Sequence, residues 1–329
     1  MILVCGGAGY IGSHTVAALV ERGIECCVLD NLEKGHRQAI PKNVPLFKGD
    51  LRDEKFLAGI FGGNKIDAVI DFAAYSLVGE SMSDPFRYYD NNVMGTLNLL
   101  KAMKTSGVGS IVFSSTAATY GIPERQPICE SDPAVPINPY GDTKLAVEKI
   151  LKWTDAAYGI KYAALRYFNA SGAHVSGKIG EDHSPESHLI PNILKALLGD
   201  GKFQLFGNDY NTPDGTCVRD YVHVSDLADA HILALEKIMS SGESRIYNLG
   251  SGGGFSNLEI IKTAENVTGL KLEYSVSPRR VGDPDKLVAS SEKISAELGW
   301  KPRFDSLEKI IETAWIWHKS HPGGFGGDK

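Results

Sequence analysis

The sequence predicts an α/β fold: a doubly wound parallel sheet with a smaller, mixed α/β region toward the C-terminus. Three observations carry this. Short apolar runs alternate with stretches of helical periodicity through the first half of the chain. A glycine-rich turn joins the first run to the first helical stretch. The alternation then breaks after Asn169 into chain rich in Gly, Ser, His and Pro.

The apolar runs fall at residues 2–5, 26–29, 44–47, 68–72, 110–113 and 162–165, and read as strands. Helical periodicity occupies residues 11–22, 88–103 and 145–158. Apolar strands separated by helices imply a parallel sheet covered on both faces, and right-handed crossovers make it doubly wound. Residues 170–191 are long for a plain connection, and such segments are often functional loops. A second irregular stretch, 206–216, precedes a strand and helix at 218–235. Helices are expected at 257–268, 291–298 and 306–318, with a frayed tail at 322–329. The division expected is 1–168 for the sheet domain, with 217–248 returning to it. Residues 169–216 and 249–329 would form the smaller region.

The 329 residues are 43% apolar and 22% charged, enough for a sizeable core. A net charge of -6 gives no sign of a nucleic-acid or membrane surface. No apolar stretch is long enough to span a bilayer, and Met1-Ile2-Leu3-Val4 reads as a strand rather than a leader. The five cysteines, Cys5, Cys26, Cys27, Cys129 and Cys217, have no metal-like spacing and suit reduced thiols. A cytoplasmic protein without a metal is expected.

Gly6-Gly7-Ala8-Gly9-Tyr10-Ile11-Gly12 follows the first strand and opens the first helix. It fits G-x-x-G-x-x-G and also G-x-G-x-x-G. Glycine permits the tight turn and lets backbone approach a pyrophosphate at the helix N-terminus. A lone glycine loop is also a plain turn; here the second strand ends in Asp30, about twenty residues further on, where a dinucleotide site of the Rossmann type places its carboxylate. That carboxylate accepts from the adenosine ribose hydroxyls and repels the extra phosphate of NADP, so NAD is expected. Asp50, after the third run, is placed to reach the adenine or to be a turn aspartate.

Tyr140 and Lys144 form Tyr-x-x-x-Lys. On a helix, i and i+4 share a face. A free phenol, with pKa about 10, is a poor base at neutral pH, and an adjacent ammonium favours its phenolate. The pair follows the fifth strand, which ends Phe113-Ser114-Ser115-Thr116 at the same sheet edge as the glycine loop. Thr116 is placed to hydrogen-bond a substrate hydroxyl.

These residues resemble the extended short-chain dehydrogenase/reductase family. Arg166-Tyr167-Phe168-Asn169, Gly172-Ala173-His174, Phe206-Gly207-Asn208-Asp209-Tyr210, Asp214-Gly215-Thr216, Val218-Arg219-Asp220-Tyr221, Tyr247-Asn248-Leu249-Gly250 and Pro278-Arg279-Arg280 with Gly282-Asp283 look like its UDP-glucose 4-epimerases. The resemblance covers almost the whole chain. It implies Tyr140 as base, Lys144 as electrostatic partner and Thr116 beside the sugar 4-hydroxyl. It implies NAD contacts from Gly6, Gly9, Tyr10, Ile11, Gly12, Asp30, Asn31, Asp50, Leu51, Phe72, Ala73, Ala74, Asn91, Ser114, Tyr140, Lys144 and Tyr167. It implies UDP-hexose contacts from Thr116, Asn169, His188, Leu189, Gln204, Phe206, Arg219, Arg280, Asp283 and Leu287. Guanidinium suits a diphosphate, since it pairs bidentately with phosphate oxygens. A homodimer is implied, with residues 88–103 and 145–158 as candidate interfaces.

The chain departs from the family pattern at Cys5, usually threonine, and at Asp71, commonly histidine. Ser76 stands where some members carry lysine, and His188 where some carry asparagine. Leu287 stands where some carry tyrosine; leucine is the smaller, and suits N-acetylated sugars as well. The implied reaction converts UDP-galactose and UDP-glucose through a 4-keto sugar. Three other readings compete with it. A 4,6-dehydratase needs an acid pair just after Thr116, where Ala117 and Ala118 stand. An epimerase for UDP-glucuronate or UDP-N-acetylglucosamine stays open, since few pocket residues select the sugar. A non-catalytic NAD-binding regulator has no need of Tyr140 and Lys144.

Overall fold

The computed structural model describes residues 1–280 and 283–326. Gly282 of the Gly282-Asp283 pair and the last three residues of the tail lie outside them.

Seven parallel strands form the main sheet: β1 (Ile2–Cys5), β2 (Cys26–Asp30), β3 (Leu46–Lys48), β4 (Ala68–Asp71), β5 (Ser110–Ser114), β6 (Lys161–Tyr167) and, after four strands of the smaller region, β11 (Arg245–Leu249). Their order is β11-β6-β5-β4-β1-β2-β3. Every residue of β1, β2 and β4 is buried, which is why these strands are apolar runs rather than alternations. Successive side chains still point to opposite faces. Val4 and Cys26 join one core with α1 (Tyr10–Glu21) and α8 (Val224–Ser241), while Leu3 and Cys27 join another with α2 (Glu54–Gly63), α5 (Gly95–Ser106) and α6 (Pro139–Tyr158). The adjacent cysteines therefore serve two cores, and both are free thiols.

Two helices depart from the sequence expectation. The stretch expected to be helical at 88–103 contains a wide, π-type turn at Tyr89–Met94, between α4 (Pro85–Tyr88) and α5. Such turns gather at functional sites. Here the extra width presents Asn92, whose side chain accepts from Tyr75 N at 2.9 Å and donates to Thr143 Oγ1 at 3.2 Å. Helix α6 begins at Pro139, earlier than expected. Asn138 caps it by accepting from Gly141 N at 2.8 Å, and proline is tolerated in the first turn.

The strands of the smaller region are too short to show periodicity. β7 (Asn169–Ser171) pairs in parallel with β10 (Tyr221–His223). β8 (Phe203–Phe206) pairs with β13 (Tyr274–Ser277). β9 (Val218–Arg219) lies between β12 (Phe255–Ser256) and β14 (Lys286–Leu287). Around them, α7 (Leu189–Leu197), α9 (Asn257–Thr268) and α11 (Leu307–Ser320) enclose a third core through Ile193, Leu194, Ile260 and Ile311. Helix α10 (Glu292–Leu298) packs by β11.

Asp220, fully buried between β9 and β10, joins distant stretches. Its carboxylate accepts from Ser251 N at 2.7 Å and Ala289 N at 2.9 Å, and its carbonyl accepts from Asn169 Nδ2 at 2.8 Å. The tail is docked rather than frayed as far as residue 326. Phe325 N donates to Asp182 at 2.9 Å, and its ring packs on His36 and Trp317. Among the described residues no helix is long and apolar enough to cross a membrane.

Candidate active site

The glycine loop sits between β1 and α1, at the C-terminal edge of the sheet. Gly6 has φ +69°, and a Cβ there would lie 2.7 Å from Ala73 N. A Cβ on Gly12 would lie 2.2 Å from the Gly6 carbonyl oxygen. Side chains at these positions would fill the space that lets backbone meet a pyrophosphate. Gly9, the N-cap of α1, has no side chain with which to cap the first-turn amides, and so leaves them for an anion.

Asp30 is buried at the end of β2. One carboxylate oxygen accepts from Ala8 N at 2.9 Å and the other from Leu32 N at 2.8 Å. Burial raises its pKa, against those two backbone donors. The second bond helps hold Leu32 at φ 60°, a left-handed conformation rare for leucine. The loop, Asp30, Asn31, Asp50, Leu51, Phe72, Ala73, Ala74 and Asn91 border one cavity. Asp50 is already engaged: Arg52 and Asn31 bond its carboxylate and hold its pKa well below the usual range, Arg52 being the larger cause. Tyr10 and Ile11 lie in the first turn of α1, and the Tyr10 hydroxyl donates to the Gly172 carbonyl. The residues fit a dinucleotide: a glycine turn closed to a Cβ at Gly6 and Gly12, and a carboxylate at the end of β2 held by backbone. Glu33, Lys34 and Tyr75 also border this cavity and were missed, because no spacing rule marks them.

Thr116, Tyr140 and Lys144 meet at the ends of β5 and β6. Thr116 accepts from Ala118 N at 3.1 Å. Burial raises the pKa of the Tyr140 phenol, and the neighbouring Thr116 hydroxyl lowers it. Lys144 is buried; its Nζ donates to the Ser114 carbonyl at 2.8 Å and lies 4.7 Å from the Phe113 ring centre. Burial lowers its pKa to about 8, against the pull of Asp71 and Glu148. In the chain by itself, then, burial governs the phenol, and the ammonium is directed at β5. Ser114 Oγ bonds the Tyr167 hydroxyl. Asp71, the residue where histidine is common, is buried at the end of β4. Its carboxylate accepts from Ala73 N at 3.0 Å and Thr96 Oγ1 at 3.2 Å, and burial raises its pKa to about 6.

A second cavity, about 430 Å³, opens where the chain leaves β6. Asn169, His188, Leu189, Gln204, Phe206, Arg219, Arg280 and Asp283 all line it. Arg219 pairs with Asp283 and donates to the Val218 carbonyl at 2.8 Å. Arg280 lies over the Phe206 ring, 4.8 Å from its centre, and has no carboxylate partner among the described residues. His188 sits between Glu181 and Glu186, which together outweigh burial and raise its pKa to about 10. Leu287 is placed apart, in β14, against the cluster of Ala117, Tyr120 and Ile128. Sequence reasoning missed Glu181, Lys202, Tyr221 and Asn257 on the cavity wall. Glu181 lay in the loop marked as functional by its length, but no motif singled it out.

Strand order places β5 between β4, after which Phe72 and Ala73 border the first cavity, and β6, after which Asn169 borders the second; Thr116 follows β5 and Lys144 donates to its last carbonyl. A nucleotide-binding parallel sheet with a tyrosine-lysine pair at its edge defines a protein of the dehydrogenase/reductase type. The model of the NAD dependent epimerase/dehydratase family matches residues 2–250. A UDP-glucose 4-epimerase of Lactobacillus helveticus is 57% identical over 98% of each chain. A crystal structure of a UDP-glucose 4-epimerase superposes with TM-score 0.98 at 51% identity, covering 99% of each chain. That of the Brucella ovis UDP-glucose 4-epimerase in complex with NAD gives 0.93 at 45%, covering 95% of this chain and 97% of that one. The chain belongs to the NAD dependent epimerase/dehydratase family.

Proposed function

We propose that the protein is an NAD-dependent UDP-glucose 4-epimerase that interconverts UDP-galactose and UDP-glucose. The observation that carries this reading is the Thr116–Tyr140–Lys144 group at the end of β5, the strand between those that lead to the cavity bordered by Asp30 and to the cavity walled by Arg219 and Arg280. NAD would be held by the glycine loop, Asp30 and the ends of β4 and β5. Bound there, it supplies the hydride acceptor that turns carbon 4 into a ketone and the donor that restores it on the opposite face.

Tyr140 takes the proton of the sugar 4-hydroxyl and returns it. Thr116 accepts from Ala118 N, so its own proton is free for the phenolate or the sugar oxygen. Lys144 is cationic at neutral pH and favours the phenolate when the sugar lies beside it. Arg219 and Arg280 anchor the diphosphate, Arg280 bringing a charge not already paired within the described chain. A firm grip on UDP and a looser one on the hexose lets the 4-keto sugar turn over before reduction. Ala117 and Ala118 offer no acid or base for eliminating water, which disfavours a dehydratase.

The testing experiment is conversion of UDP-galactose to UDP-glucose by purified protein without added cofactor. Interconversion supports the reading and shows NAD retained through purification; a 4-keto-6-deoxy product overturns it in favour of a dehydratase. The N-acetylated hexoses are a second substrate class: Leu287, off the cavity wall, packs in the cluster of Ala117, next to Thr116, and is smaller than the tyrosine some relatives carry there. Failure to epimerise UDP-N-acetylglucosamine would remove them.

We further propose a cytoplasmic homodimer. Met82 of α3 (Val78–Ser83), Phe86 of α4 and Trp153 of α6 are 63%, 86% and 70% exposed, and both short helices pack against α6. Exposed apolar residues gathered on packed helices favour a self-association face. Light scattering of Phe86→Glu beside the native protein tests it: a native dimer and a monomeric variant are expected.

A further inference from the structure

The loop leading into α7 carries Glu181-x-His183-x-x-Glu186-x-His188, of which Glu181 and His188 line the larger cavity. One ligand-type atom from each of the four residues lies within 4.8 Å of all the others. His183 Nδ1 is 3.2 Å from Glu181 Oε1 and 3.8 Å from Glu186 Oε2; His188 Nδ1 is 2.8 Å from Glu181 Oε1 and 3.0 Å from Glu186 Oε1. Four ligands about 2.0–2.1 Å from a tetrahedral zinc stand roughly 3.3 Å apart.

Two of these atoms are orphaned. His183 Nδ1 and Glu186 Oε2 are buried without a hydrogen-bond partner among the described residues. The Glu186 side chain is only 6% exposed, and its other oxygen accepts from Ser187 N at 2.8 Å and His188 N at 2.9 Å. The backbone therefore fixes the carboxylate with its free oxygen directed at His183. Glu181 is fixed too, since its carbonyl accepts from Trp317 Nε1 at 3.0 Å. A buried unsatisfied oxygen is costly unless something binds it. Metal binding displaces the imidazole protons, so that two carboxylates, two imidazoles and one divalent cation then sum to zero charge, and a mixed nitrogen and oxygen set suits zinc among the abundant metals.

We propose that Glu181, His183, Glu186 and His188 bind a zinc-class divalent cation that fastens this loop to the cavity wall. The ion is separate from the Tyr140 chemistry and takes no part in the redox step. His183 is the diagnostic residue. Without a metal, His188 makes the shorter contacts to both carboxylates and His183 is dispensable; with one, His183 is a ligand.

The test is calorimetric titration of untagged, chelator-treated protein with Zn2+ alone, beside His183→Ala and Glu186→Gln. One ion per chain is expected, with affinity falling roughly 100-fold in either variant. His183 is partly exposed, so its alanine variant retains the fold. Co2+ provides a second readout on the native protein: the intense visible absorption of a tetrahedral site is expected. No saturable Zn2+ binding overturns the proposal, as does an affinity unchanged in His183→Ala or a pale, octahedral cobalt spectrum.

Discussion

The buried carboxylate of Asp71 and the buried ammonium of Lys144 act on one another at the adjacent ends of β4 and β5. Burial comes first for both, raising Asp71 to about 6 and lowering Lys144 to about 8. After burial, Asp71 is the largest influence on Lys144 and Lys144 the largest on Asp71. The sign is definite: Asp71 favours the charged lysine. Asp71→Asn removes that support, so Lys144 loses its proton at lower pH. The alkaline limb of the kcat/KM profile should move to lower pH than in the native protein. An unmoved limb would separate Asp71 from the function of Lys144.

Tyr140→Phe keeps the ring and removes the proton acceptor. Turnover of UDP-galactose should fall by roughly 10²–10⁴-fold, the usual range for a general base, with bound NAD unchanged by absorbance of the denatured protein. Near-native turnover would assign the proton transfer elsewhere.

Asp30→Ala leaves the Ala8 and Leu32 amides without their acceptor and the ribose without its carboxylate. Hydrogen bonds to charged groups contribute about 1.5–3 kcal/mol. The variant should purify with little dinucleotide and regain activity on adding NAD, its Kd about 10–100-fold weaker. Gly12→Ala should fail more completely, because the clash with the Gly6 carbonyl displaces backbone. No concentration of NAD is expected to rescue it.

Arg280→Ala removes a charge from the cavity while leaving the Arg219–Asp283 pair intact. KM for the UDP-sugar should rise roughly tenfold or more, with a smaller change in kcat. An unchanged KM would place the diphosphate elsewhere.

Behind the site, Arg166 and Glu148 form a buried pair, 5% and 3% exposed, with Ser115 Oγ donating to the same carboxylate. Arg166→Met strands that carboxylate and should destabilise the fold by about 3–5 kcal/mol in urea. The double variant with Glu148→Leu should recover much of the loss. No recovery would show that packing, not charge, sets the cost.

What the sequence made legible was local. The β1 run, the glycine turn and Asp30 form one continuous strand–turn–helix–strand unit, and each residue type announces its own geometry. Tyr140 and Lys144 were found by spacing, although the helix bearing them was expected to begin later; Pro139 and Gly141 masked its first turn. The wide turn at Tyr89–Met94 was invisible, because one extra residue per turn leaves no mark on an apolar pattern. The pairing of Asn169–Ser171 with Tyr221–His223 was hidden for another reason. Strands so short have no period, and their register is set by contacts fifty residues apart. The Glu181 to His188 group went unread because its residues gain meaning only when the loop folds back on itself.

Asp220 has a mechanical consequence. Its carboxylate holds the chain just after β11 to the chain just after β14, while its carbonyl holds the chain that leaves β6. Loosening the chain after either strand strips a backbone donor from this buried carboxylate, while the carbonyl of the same residue holds Asn169, on the wall of the larger cavity. The edge of the main sheet and that cavity wall are therefore expected to melt together, heating giving a single transition.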